Sequence, residues 1–142
     1  MLTKDYIAGL VDGEGSFTVF VRNPDIPQNI KRRVKIEPRF YLKLIARDKK
    51  ILEDLKDYFQ CGNVYFQKDN RKNHQDCYRY EVANRRDLVN IIIPFFRANP
   101  LQFPSKQKDF AIFCKIMESI ARKDHLTLSG QRTLLALKQT MH

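Results

Sequence analysis

Two carboxylates one residue apart, Asp12 and Glu14, close an apolar stretch in the segment Tyr6-Ile7-Ala8-Gly9-Leu10-Val11-Asp12-Gly13-Glu14-Gly15-Ser16-Phe17. Gly13 and Gly15 interleave with them, and a strand-like run from Phe17 to Val21 follows at once. A packing helix, an acidic tip and a strand form the order that a metal-dependent hydrolase needs if two helices meet and each offers an acid at the contact. The acidic tip stands out because the chain around it is basic: 26 Lys and Arg against 16 Asp and Glu leave a net charge of +10. So basic a domain calls for an anionic partner, most commonly nucleic acid.

The elements that must position this tip can be read from periodicity and punctuation. Thr3 is placed to cap a helix over Lys4 to Asp12. Gly9 and Gly13 are four apart and share one face of it, beside Ala8. A glycine inside a helix costs roughly 1 kcal/mol relative to alanine, and close approach of a second helix is the offsetting use. Phe17, Val19 and Val21 alternate with Ser16, Thr18, Phe20 and Arg22, which marks a strand with one buried face. Asn23 to Gln28, with Pro24 and Pro27, reads as a loop. Val34 to Ile45 reads as a second strand, with Pro38, Phe40, Leu42 and Leu44 on one face and Lys35, Glu37, Arg39, Tyr41 and Lys43 on the other. Asp48 starts a helix carrying Ile51, Leu52, Leu55 and Phe59, which Gly62 ends. Val64–Gln67 and Cys77–Ala83 form a hairpin with a polar tip, Lys68 to Asp76. Tyr78, Tyr80 and Val82 share one face there, Arg79 and Glu81 the other. Asn84 caps a helix with Leu88, Ile92, Phe95 and Phe96, Ser105 opens a longer one, and a last helix covers about Ser129 to Met141.

The expected architecture is α+β: an antiparallel four-stranded sheet with helices on one face, in one domain spanning 1–142. The open sheet face then holds Arg22, Lys35, Arg39, Tyr41, Lys43, Gln67 and Arg79, with Thr18, Phe20 and Glu81 in the same alternation. Arg, Lys and Gln on a sheet can read base edges in a DNA major groove. The tract Lys31-Arg32-Arg33 leads into the second strand, and phosphate contact by Lys31 and Arg33 is expected.

The longest apolar run, Leu88 to Phe96, is too short to span a membrane and contains Asn90 and Pro94. No signal-peptide h-region is visible. Cys61, Cys77 and Cys114 are odd in number and widely spaced, as expected of reduced thiols inside a cell. Gly13-x-Gly15 is no dinucleotide fingerprint, because a strand follows the helix. Asp12-x-Glu14-x-Ser16 fails as a calcium loop, since its twelfth position is Asn23. Cys61, His74 and Cys77 lack the paired Cys-x-x-Cys of a zinc site.

The nine residues Ile7 to Gly15 resemble the motif that names the LAGLIDADG homing endonucleases. Ala8, Gly9, Leu10, Asp12 and Gly15 are identities, Ile7, Val11 and Glu14 are conservative, and Gly13 stands for Ala. The element order resembles the family's αββαββα half. Phe103-Pro104-Ser105-Lys106-Gln107-Lys108-Asp109-Phe110 resembles the segment that places an active-site lysine, and Phe40 to Leu55 resembles the second strand and its following helix. One motif copy is present. In this family that implies a homodimer, with Ala8, Gly9, Asp12 and Gly13 at the crossing of two motif helices and both Glu14 carboxylates at one spot.

The resemblance implies a site-specific endonuclease that breaks both strands of a long, pseudo-palindromic DNA target by metal-dependent phosphodiester hydrolysis. Glu14 and the Gly13 carbonyl would hold Mg²⁺, whose place Mn²⁺ or Ca²⁺ can take. A hard cation that keeps most of its waters needs only one or two protein carboxylates. Without it the two Glu14 charges repel each other. Lys106 is the candidate for stabilising the phosphate or polarising the water network, and Arg47 lies where the family often has a polar active-site residue. Asp12 is read as structural, with direct metal ligation as the alternative. An RNA-splicing maturase and a catalytically silent DNA-binding protein of the same fold remain alternatives. The family's genes sit in organellar, archaeal and phage introns, so chloroplast, mitochondrion and prokaryotic cytoplasm all stay open.

Overall fold

A computed structural model of the chain describes residues 1–25, 35–72 and 74–142. Lys31, Arg33 and the start expected for the second strand lie outside the described residues. Helix α1 (Lys4–Glu14) begins where Thr3 caps it, the Thr3 Oγ1 accepting from the Tyr6 N–H at 3.2 Å. It runs directly into β1 (Gly15–Val21). Gly15 makes this abrupt joint possible: a Cβ there would stand 2.5 Å from Val11 Cγ1 and 3.0 Å from Val11 Cα.

Strand β2 (Ile36–Ile45) pairs antiparallel with β1, placing Gly15 opposite Leu42 and Val21 opposite Ile36. A short 3₁₀ turn (Ala46–Asp48) leads into α2 (Lys49–Phe59). The reversal after α2 uses Gln60 at φ 56° and Gly62 at φ 81°. Gly62 is required there twice over, because a Cβ would also meet the Glu81 carbonyl oxygen at 2.7 Å. β3 (Asn63–Gln67) and β4 (Cys77–Val82) form the expected hairpin, and the sheet order is β1-β2-β4-β3.

One helix was expected after Asn84. The structure divides it into α3 (Arg85–Asp87), a π turn (Leu88–Ile92) and α4 (Ile93–Ala98). Pro94 has no N–H to give the preceding turn and its ring crowds the carbonyl four residues back, so a local widening of the helix lets the chain pass through it. Helices α5 (Pro104–Ala121) and α6 (Leu128–Gln139) complete the fold.

The alternation read from the sequence fixes which way each strand faces. Phe17, Val19, Phe40, Leu42, Tyr80 and Val82 are buried under the helices. They pack on Ile7 and Val11 of α1, Leu52 and Leu55 of α2, Phe96 of α4, Phe113 and Ile116 of α5 and Leu134 of α6, all of them buried. Phe17 lies within 5.5 Å of the rings of Phe40, Phe96, Phe110 and Phe113. This aromatic cluster locks β1, and so the tip of α1, against α5. On the opposite sheet face, among the described residues, Thr18, Arg39, Tyr41, Arg79 and Glu81 are half-buried and Phe20 and Lys43 exposed. No helix among the described residues is long and apolar enough to cross a membrane.

Candidate active site and nucleic-acid interface

Glu14 is the last residue of α1 and is exposed. The carbonyls of a final helical turn have no partner further along the helix, and the helix dipole puts partial negative charge there. No basic residue occupies the last turn of α1. The exposed Glu14 carboxylate and the carbonyls near it are hard oxygen donors, whose chemistry fits a Mg²⁺-type cation. Among the described residues no three His, Cys, Asp or Glu side chains come together in a metal-binding group.

Asp12 does different work. It is 4% exposed. Its carboxylate accepts from the Gln102 N–H at 2.9 Å to each oxygen and from the Phe103 N–H at 3.1 Å. These are the amides just before α5, so Asp12 fastens the start of α5 to the end of α1. Within its own chain the Asp12 carboxylate serves as a hydrogen-bond acceptor for these amides. Lys106, in the first turn of α5, then donates from its ammonium to the Gly15 carbonyl. That carbonyl adjoins Glu14, so the structure brings Lys106 and Glu14 to the same tip across more than 90 residues of sequence.

Arg47 is placed apart from this pair. β2 extends three residues past Leu42, the partner of Gly15, or roughly 10 Å at strand rise, and Arg47 sits exposed on the 3₁₀ turn beyond. Asp109 was not singled out from the sequence. It lies one turn after Lys106, buried, and accepts from the His142 backbone N–H at 3.0 Å. With Ser16, Thr18, Tyr41 and Lys106 these two residues line a cavity of about 250 Å³. The helical i,i+3 spacing from Lys106 could have found Asp109, while nothing local in the sequence points to His142.

On the open sheet face the register sets rows. Thr18 stands opposite Arg39 and Phe20 opposite Glu37. Tyr41 stands opposite Glu81 and Lys43 opposite Arg79. On the outer strand Asn63, Tyr65 and Gln67 face Glu81, Arg79 and Cys77. Asn63 and the exposed Tyr65 join this face by the same alternation that placed Gln67. Arg22 lies just past β1, its N–H donating to the Lys35 carbonyl at 3.1 Å, and the Lys35 ammonium lies 5.9 Å from the Phe20 ring. The Arg79 guanidinium covers the Tyr41 ring at 3.6 Å. A groove of about 630 Å³ runs over this face, bounded by Phe20, Arg39, Tyr41 and Arg79 on the sheet and by Lys138 and His142 from the end of the chain.

The third feature is the exposed side of α1. A Cβ on Gly9 or Gly13 would meet nothing within 4 Å, so the helix presents bare backbone there. Tyr6, on the same stripe, is 50% exposed.

An acidic helix tip joined to a basic four-stranded sheet is the signature expected from the motif, and comparison with known proteins agrees. Residues 7–117 match the family described as LAGLIDADG endonuclease; the chain belongs to this family. A probable intron-encoded DNA endonuclease of Mycosarcoma maydis is 32% identical over 111 residues, covering 78% of this chain and 35% of its own length. Homing endonuclease I-ApeII of Aeropyrum pernix is 26% identical over 121 residues, 85% of this chain and 66% of its own. The chain spans only 23–35% of the length of the first fungal relatives it matches. Among solved structures, the homing endonuclease I-TnaI superposes with TM-score 0.82 at 33% identity, over 99% of this chain and 88% of that one. The I-SmaMI endonuclease bound to cleaved DNA gives 0.84 at 33% identity, over 99% of this chain and 44% of that one.

Proposed function

We propose that the chain is a site-specific homing endonuclease that makes double-strand breaks in a long, pseudo-palindromic DNA target, acting as a pair of copies crossed at α1. The observation that carries this reading is the joint placement of Glu14 and Lys106 at one end of a basic sheet face. The open stripe at Gly9 and Gly13 supports the pairing, since it accepts a second helix at close range without repacking its own chain. Crossing there gathers one Glu14 from each copy and so brings two carboxylates to one spot.

Glu14 and the Gly13 carbonyl would hold Mg²⁺, with Mn²⁺ or Ca²⁺ able to occupy the same oxygens. A bound divalent cation supplies an activated water and neutralises charge on the phosphoryl and leaving oxygens. The rest is done by the chain. Lys106 keeps a positive charge fixed beside the tip, where phosphate charge must be offset. The sheet face seats the duplex, Lys and Arg neutralising phosphates while Gln67, Arg39 and Arg79 read base edges. Asp12 keeps α5, and so Lys106, in register with α1.

The test is cleavage of a plasmid carrying the intron-less junction of the host gene, with Mg²⁺, by wild type and Glu14→Gln. Wild type linearises the plasmid and the variant binds without cutting. Binding without cleavage by the wild type would remove the enzyme reading.

A further inference from the structure

We propose that Glu81 is a specificity-determining residue that acts without reading a base itself: it pins Arg79 and Arg39 in the plane of the sheet face, so that Arg79 meets base edges rather than phosphates. This rests on the proposed DNA contact by the sheet.

The register places Glu81 opposite Tyr41, with Arg79 two residues back on its own strand and Arg39 diagonal to it across β2. Diagonal neighbours lie about 7–8 Å apart, within reach of long side chains. Arg79 Nη2 is 2.8 Å from Glu81 Oε1, and Arg39 Nη1 is 3.6 Å from the same oxygen. Arg39 is held on its other side by Glu37 Oε2 at 3.1 Å. The Glu81 side chain is only 14% exposed and that of Arg79 20%, whereas Arg39 retains 39%. Arg79 is further fixed by the Tyr41 ring beneath it at 3.6 Å. Its Nε is buried and without a hydrogen-bond partner. A guanidinium held over an aromatic ring and tied at one nitrogen is a pre-oriented fork.

The chemistry of such a fork favours a planar acceptor pair, as on the guanine edge. A free arginine on a basic face would instead turn to the nearest phosphate, because that term dominates affinity for any sequence. The Glu81 carboxylate opposes this in two ways. It anchors the guanidinium by an ion pair and repels phosphate from it. The acid in the middle of a basic face thus gives up non-specific affinity for discrimination.

The experiment selects duplexes from a library with randomised half-sites, sequences them, and measures affinity for unselected duplex over a salt series. Wild type, Glu81→Gln and Glu81→Asp are compared, with melting curves for each. Glu81→Gln is expected to bind unselected duplex more tightly, with a salt slope steeper by about one phosphate contact. Its preference at one base pair per half-site should fall about 5- to 150-fold, the discrimination one bidentate contact carries. Glu81→Asp keeps the charge but is too short to hold both arginines, so it should flatten the same base pair and leave the salt slope unchanged. An unchanged preference and slope in Glu81→Gln overturns the proposal. So does loss of a preference with no gain on unselected duplex, which would make Glu81 itself the reader. If wild type selects no sequence at all, the site-specific reading of the protein fails first, which is a separate result.

Discussion

Replacing Asp12 separates the two roles an acid in this motif can have. Its carboxylate takes both amides that precede α5, at 2.9 and 3.1 Å, at a position 4% exposed. Asp12→Ala leaves the part-buried N–H groups of Gln102 and Phe103 without their partner. Hydrogen bonds to a charged group contribute about 1.5–3 kcal/mol each, so the loss of two is about 3–6 kcal/mol. Against a total stability of about 5–15 kcal/mol this is large. At this chain length it corresponds to a fall in Tm of roughly 10–20 °C. Asp12→Asn keeps one oxygen but turns an amide N–H toward the Gln102 N–H, with an expected cost of about 1–2 kcal/mol. Because Lys106 lies three residues past Phe103, both variants should also loosen the ammonium from the Gly15 carbonyl and lose cleavage. The assay is thermal unfolding by circular dichroism beside plasmid cleavage. An Asp12→Ala protein that melts with the wild type yet fails to cut would show that Asp12 serves the metal and would refute this account of the joint.

The glycines of the motif should divide by environment. Gly15→Ala forces a Cβ onto Val11 and should cost about 1–3 kcal/mol. Gly9→Ala has open space and should leave the single chain as stable or up to about 1 kcal/mol better. Gly13→Leu should abolish the pair in sedimentation while leaving the fold intact. Lys106→Met should keep DNA affinity and lower the cleavage rate by about 10²- to 10³-fold, the usual effect of removing one fixed group that stabilises transition-state charge. Tyr80 is fully buried and its hydroxyl donates to the Cys61 carbonyl at 2.8 Å. Burial pushes that hydroxyl above its ordinary 10.0. A raised folded-state pKa contributes stability that is intact below about pH 10 and lost as pH rises past it. Alkaline denaturant titrations should therefore show stability falling above about pH 10 in the wild type and less steeply in Tyr80→Phe.

Local rules made much of this fold legible. The Thr3 cap, the α1 span and the faces of β1, β2 and β4 follow from hydrogen-bonding residues and period-two alternation, which act over a few positions. What escaped them is long-range or depends on backbone adjustment. Asp12 to Gln102 and Lys106 to Gly15 each span some 90 residues, so the sequence could suggest their roles only through the motif. The register that sets Glu81 beside both arginines is a property of paired strands, invisible in either strand alone. The π turn before Pro94 arises because the helix was cheaper to widen than to break, given Leu88, Ile92 and Phe96 buried in the core on one side. Gln60, at φ 56°, left the helix two residues before the glycine that was expected to end it.

The central claim is that each active site needs an acid from two copies. Mixing wild type with Glu14→Gln in equal amounts, after exchange of subunits, tests it directly by counting strand cuts of both kinds, nicks and breaks. Random pairing gives about one quarter fully wild-type pairs. If both Glu14 carboxylates are required for either cut, total strand scission falls to about one quarter of the unmixed wild type. Scission at about one half would mean that each chain cuts alone, and would contradict the account.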